Sequence, residues 1–265
     1  MVMRSILLLV FLVILTACDQ SPTGRQQLAL LPESKLAAMG AQTFAEMKRT
    51  QPLETHPQTW AYVRCVARAI IQVLPADQRQ GWEIAVFRDS TPNAFALPGR
   101  KIGVNTGMLT VAATPGQLAA VIGHEVGHVL ARHANERATQ ELAVQGGIAL
   151  IDLLYQSHEG WKHEALRNAL GLGATYGVLL PFSRTHEREA DTLGLELMAD
   201  AGFNPRESLA LWRTMARAGG RQPLEFLSTH PSPESRFQEL ETQLGPAEQR
   251  YQATLTQGRQ LLCEN

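Results

Sequence analysis

One short stretch near the middle restricts this chain more than any other. Thr114-Pro115-Gly116-Gln117 carries the marks of a helix start: a capping hydroxyl, proline at the first helical position, and Gln three residues on. The helix it opens runs into His124-Glu125-Val126-Gly127-His128. A spacing of four residues sets both imidazoles on one face about one turn apart, close enough to share a metal ion. Zn²⁺ held there lowers the pKa of a coordinated water towards about 7, and Glu125, next to the first histidine, is placed to take its proton. A fold that uses this helix must bring a third ligand to the same face.

The third ligand does not follow directly in sequence. A third histidine six residues after His128 would mark one large group of zinc enzymes, but Ala134 stands there, and Ala131 replaces the glycine that such a turn uses. His133 lies about 140° round an ideal helix from His128, which makes it a surface residue. The better source is Thr185-His186-Glu187-Arg188-Glu189-Ala190-Asp191, the opening of a later helix. Glu187 and Asp191 are four apart and share a face, so one carboxylate can bind the metal while the other hydrogen-bonds a ligand histidine. Glu189 and His186 are rivals on the same helix. Two His and one Glu with an open fourth position is a catalytic zinc arrangement; structural sites are closed by four protein ligands.

The rest of the 265 residues read as one α+β domain, mostly helical. Leu36, Met39, Gly40, Thr43, Phe44 and Met47 fall at helical spacing, and a second apolar stripe runs from Trp60 to Leu74 and stops at Pro75. Trp82 to Phe87 and Lys101 to Asn105 read as strands, separated by a turn-rich stretch with Pro92, Pro98 and Gly99. Asn204-Pro205-Arg206-Glu207 starts another helix just after Gly202 closes the one before, and the stretch from Gly219 to Pro233 reads as a long loop. With 24 Lys+Arg against 25 Asp+Glu there is no basic footprint for nucleic acid. Gly171, Gly173 and Gly177 do not make a dinucleotide fingerprint, and Gly173 and Gly177 suit close helix packing. His56, His158 and His163 read as surface residues, and Cys65 and Cys263 are available to pair in an oxidising compartment.

The N-terminus reads as an address. Arg4 precedes an apolar run from Ser5 to Leu15, too short for the roughly 18–20 residues a spanning helix needs. Small residues then lead to Cys18, as in bacterial lipoprotein signals, where the cysteine is lipidated and becomes the mature N-terminus. The expected organisation is a signal peptide at 1–17, a lipidated tether at 18–32 and the domain at 33–265. Asp19 points weakly to retention in the inner membrane, and no other stretch is long and apolar enough to span a bilayer.

Taken together, these motifs resemble metallopeptidase family 48, which includes the CAAX prenyl endopeptidases, the HtpX heat-shock proteases, the mitochondrial Oma-type proteases and periplasmic lipoproteins. The resemblance spans the chain from Asn93-Ala94-Phe95-Ala96-Leu97-Pro98-Gly99 to Thr229-His230-Pro231-Ser232-Pro233-Glu234-Ser235-Arg236. It implies a gluzincin-type domain with a small β-sheet packed on the active-site helices. One Zn²⁺ is implied on His124, His128 and Glu187, with Glu125 as general base and Asp191 behind a ligand. It further implies that Asn93, Ala94 and Phe95 supply a strand edge for substrate, and that His230 and Arg236 lie near the metal. There Arg236 would stabilise an oxyanion, and His230 would assist or occupy the open metal position. The expected activity is hydrolysis of peptide bonds in unfolded or damaged envelope proteins, on the periplasmic side of a membrane. A zinc-bound chaperone or assembly factor that rarely cleaves is the rival. Oligomeric state is not legible.

Overall fold

The computed structural model describes residues 18–143, 182–218, 225–230, 233–258 and 263. The expected signal peptide, the Gly171–Gly177 packing stretch, His158 and His163 lie outside them. Cys18–Gln20 (β1) and Gln26–Leu28 (β2) form an antiparallel hairpin. Glu33–Thr50 (α1) and Pro57–Gln72 (α2) follow, then a three-stranded sheet of Glu83–Phe87 (β3), Ala94–Leu97 (β4) and Lys101–Asn105 (β5). The remainder is helical: Met108–Val111 (α3), Pro115–Leu130 (α4), residues 133–143 (α5), Arg184–Asp200 (α6), Arg206–Ala218 (α7), Glu225–Thr229 (α8) and Pro233–Thr256 (α9).

The sheet order is β3-β5-β4, with β3 parallel and β4 antiparallel to the central β5. β4 is therefore an edge strand. From the residues alone its sequence is a turn, since prolines flank it; pairing with β5 and the burial of Ala94 and Leu97 make it a strand. Phe95 packs its ring over Gly103, where any side chain would collide with it, and joins Phe44 and Phe87 in an aromatic cluster. The main core lies on the other side, where α2 (Val63, Val66, Ile70) meets α4 (Leu118, Ile122, Val126), α6 (Met198), α7 (Leu211, Trp212) and α8 (Phe226). Cys65 and Cys263 are joined by a disulfide, 198 residues apart in sequence.

Two features depart from the sequence reading. The 18–32 segment, expected as a lipidated tether, is docked: Gln27 and Ser21 are buried, and Leu30 and Leu31 donate their N–H groups to Thr139 and Asn135 of α5. The stretch expected as one long loop contains α8, whose Phe226 is fully buried.

The α4–α6 contact positions everything that follows. α4 has the cap its sequence announces, Thr114 Oγ1 accepting from Gln117 N at 3.1 Å, and Ser183 Oγ accepts from His186 N at 3.2 Å to start α6. The two helices then meet nearly backbone to backbone through Gly123, Gly127 and Gly194. A Cβ on Gly194 would lie 2.8 Å from the His124 nitrogen, and one on Gly127 would lie 2.9 Å from the Ala190 carbonyl oxygen. Gly194→Ala therefore has to spread the helices. We expect a loss of about 1–3 kcal/mol in chemical denaturation; an unchanged midpoint would show that the close approach is not required.

Candidate metal centre

α4 is buried on all sides around its HExxH segment, so His124, Glu125 and His128 all lie in the interior. The close crossing of α6 brings Glu187 from its first turn to the same point, and the turn after α8 brings His230. His124 Nε2 and His128 Nε2 are 3.0 Å apart, and His124 Nε2 is 3.2 Å from His230 Nδ1. The Glu187 carboxylate lies 3.5 Å from His124 Nε2, 3.4 Å from His128 Nε2 and 3.0 Å from His230 Nδ1.

These separations are a test of metal fit. Donors at about 2.0–2.1 Å from a tetrahedral zinc stand about 3.3–3.4 Å from one another. The measured edges bracket that value. Ring nitrogens facing each other this closely, with a carboxylate among them, lack enough protons to bond pairwise, whereas one central cation satisfies all their lone pairs together. The donor set is that of a zinc site.

Glu125 sits beside this cluster. Its Oε2 accepts the Ala96 N–H of β4 at 3.1 Å, and its Oε1 is 3.3 Å from His230 Nε2. Burial pushes its carboxyl above the usual range, against the pull of the His230 and His124 charges. A raised pKa makes it a stronger base. Asn93 accepts the Asn105 N–H and leads into β4. Ala94 and Phe95 belong to that strand, with Phe95 turned into the aromatic cluster. The strand residue that reaches the site is Ala96.

Each ligand histidine is held from behind. His124 Nδ1 is 2.9 Å from Asp191 Oδ1, and Asp191 receives Arg236 through Nε at 2.7 Å and a second guanidinium nitrogen at 2.6 Å. Burial opposes charge on Asp191, but Arg236 and the His124 bond outweigh it and hold the carboxyl low. Burial likewise opposes protonation of His124, as does the Arg236 charge; the bonds with Asp191 and Glu187 nevertheless lift its pKa to about 9. Arg236 also pairs with Glu187 at 2.6 Å and stacks on Trp212 at 3.8 Å. Its charge, expected at the oxyanion, is thus taken up by two carboxylates.

His133 requires a correction. It is fully buried, not on the surface, with Nδ1 2.8 Å from His128 Nδ1 and Nε2 3.1 Å from Glu189. The surface expectation assumed an unbroken helix. α4 ends at Leu130 and Arg132 adopts a left-handed φ of 56°, so the chain reverses and carries His133 back to His128. Arginine is not a residue that advertises such a turn, and no glycine or asparagine stands there to mark it. The rivals Glu189 and His186 lie in this outer layer: Glu189 bonds His133, and His186 Nε2 is 3.0 Å from Glu136.

The similarity to known proteins agrees with this geometry. The profile of Peptidase family M48 matches residues 57–244. The mitochondrial metalloendopeptidase OMA1 of Schizosaccharomyces pombe is 39% identical over 195 residues, covering 73% of this chain and 55% of that protein. The mitochondrial metalloendopeptidase OMA1 of Bos taurus is 30% identical, covering 85% and 46%. The beta-barrel assembly-enhancing protease of Escherichia coli is 26% identical, covering 75% and 42%. The chain thus spans about half the length of the curated relatives it matches. Removing one ligand tests the donor set. We expect Glu187→Gln to bind zinc more than about 100-fold more weakly in chelator competition, since even an outer partner is worth 10–100-fold. Unchanged affinity would remove Glu187 from the centre.

Proposed function

The chain belongs to Peptidase family M48, and from that membership we propose that it is a zinc-dependent metalloendopeptidase that hydrolyses peptide bonds of misfolded or damaged cell-envelope proteins. The observation that carries the reading is the base beside the donor cluster: Glu125 is buried, held by Ala96 and outside the ligand set. A site that only stored or held a metal has no use for it. When bound, zinc supplies a Lewis acid for the scissile carbonyl and makes water acidic enough to lose a proton near neutral pH.

The chain's own residues do the rest. Glu125 takes the proton from the attacking water and returns it to the departing amine. The Ala96 N–H fixes the carboxylate's orientation. The outer edge of β4 offers backbone groups to an extended peptide, a mode that reads little side-chain identity and suits unfolded substrates. Asn93, Ala94 and Phe95 shape that edge, Phe95 by anchoring it to the core. Asp191 and Arg236 clamp His124 and Glu187, so Arg236 serves the ligands and not the developing oxyanion.

His230 suggests a latent state of the same enzyme. Catalytic zinc sites keep three protein ligands and an open position, yet His230 Nδ1 stands within the donor cluster while its Nε2 faces Glu125. On this reading His230 leaves the donor cluster when substrate arrives and then assists beside the vacated position.

The compartment is proposed to be the bacterial periplasm, with a lipid on Cys18 as anchor. The disulfide between Cys65 and Cys263 suits an oxidising compartment, and no described helix is long and apolar enough to cross a membrane. Asp19, the weak pointer to the inner membrane, also pairs with Arg132.

A casein or unfolded-protein digestion assay separates an enzyme from a holding factor. Glu125→Gln is expected to lower turnover by at least about 100-fold, within the range a general base contributes, with zinc retained; full turnover would end the proposal. In the same assay His230→Ala should raise basal activity if the latch reading holds, and a drop to the Glu125→Gln level would replace it with a purely catalytic role.

A further inference from the structure

His133 is buried behind the donor cluster and takes no part in the hydrolytic step. If His128 Nε2 offers its lone pair to the ion, its proton must sit on Nδ1, and that proton needs an acceptor because the ring is buried. The atom in reach is His133 Nδ1, at 2.8 Å. His133 must then carry its own proton on Nε2 and donate it to Glu189 Oε2, 3.1 Å away. Glu189 is fixed in turn: Thr23 donates to Oε1, and Arg25 Nε donates to Oε2 at 2.8 Å. The other two guanidinium nitrogens of Arg25 donate to Glu136, at 3.0 and 2.7 Å, and at longer range to the Gln26 carbonyl and Gln27 Oε1, and Glu136 accepts from His186. His186 stacks on the His133 ring at 4.4 Å. Every proton between the ligand and Arg25 has one place to go.

We infer that His133 is a positioning residue for the metal ligand His128, and that Thr23 and Arg25 of the N-terminal hairpin complete the assembly by holding Glu189. The inference rests on the zinc reading of His128. It gives the two ligand histidines equivalent supports: His124 leans on Asp191 backed by Arg236, and His128 leans on His133 and Glu189 backed by Arg25. The second support takes its cation from the turn between β1 and β2, over 100 residues in sequence from both acids it bonds. The hairpin that Cys18 begins is therefore part of the metal centre's support and not only an attachment. Without Arg25, Glu189 and Glu136 lose the guanidinium that bonds both of them, and the Glu189 carboxylate can turn away from His133.

The test reads zinc affinity by chelator competition on the full mature chain, with melting of each protein in EDTA as a separate measure of apo stability. His133→Phe keeps an aromatic ring but removes the acceptor, and is expected to bind zinc 10–100-fold more weakly. His133→Asn can place its side-chain oxygen where Nδ1 stands, and should recover most of that loss. Arg25→Gln, at a position partly open to solvent, should weaken zinc binding in the same direction by a smaller factor. Affinity of His133→Phe equal to wild type would overturn the inference, as would an Asn variant no better than Phe. A merely structural role for His133 would lower the EDTA melting midpoint and leave the competition curve in place. If His133→Phe does not fold, Arg25→Gln decides: unchanged zinc affinity rejects the role of the hairpin, and reduced affinity supports it. A wild-type chain that takes up no zinc would instead overturn the metal centre itself.

Discussion

Three imidazoles and a carboxylate aimed at one buried point set the terms for the surrounding structure. Glu125, Glu187 and Asp191 are all buried around it, and Arg236 is the guanidinium among them. Among the described residues, three acids against one base leave two negative charges in a low-dielectric interior when the imidazoles are neutral, and a divalent cation cancels them. Buried charge that is unpaired costs several kcal/mol per ion, so the fold is organised to supply partners: Arg236 with Asp191, Arg25 with Glu189 and Glu136, the Ala96 N–H for Glu125. The metal ligands and their supports are one electrostatic unit. No member of it can be removed without stranding another.

Meeting these terms requires elements from distant parts of the chain to come close. The glycines of α4 and α6 permit the two backbones to touch, which is what carries Glu187 to within reach of both HExxH imidazoles. The sheet contributes through its edge, since β4 lies outermost and turns the Ala96 N–H towards Glu125 and away from β5. The N-terminal hairpin closes the far side by reaching over α5 to Glu136 and Glu189. On the proposed reading, substrate access, base orientation and ligand support come from three separate layers built on one helix crossing.

Much of this was legible in the sequence because it depends on local periodicity. The cap at Thr114, the four-residue spacing of His124 and His128, and the shared face of Glu187 and Asp191 are helix properties, and they appear as read. What escaped depends on breaks in periodicity or on tertiary pairing. His133 was misplaced because the helix stops and reverses at Arg132, a left-handed position that no glycine or asparagine marks. Ala96 carries no chemistry in its side chain; its contribution is a backbone N–H, invisible to any reading by residue type. The stretch 18–32 is polar enough to pass for a tether, and only the buried partners waiting on α5 and α6 make it part of the body. The strand character of β4 came from family resemblance, since prolines and a glycine around it argue for a turn.

The central claim is that one zinc ion sits among His124, His128 and Glu187. A crystal of the zinc-loaded protein, with diffraction collected on both sides of the zinc absorption edge, tests it most directly. One anomalous peak per chain is expected, at about 2.0–2.1 Å from His124 Nε2, His128 Nε2 and a Glu187 oxygen. A peak elsewhere, or ligation that leaves Glu187 out, would contradict it.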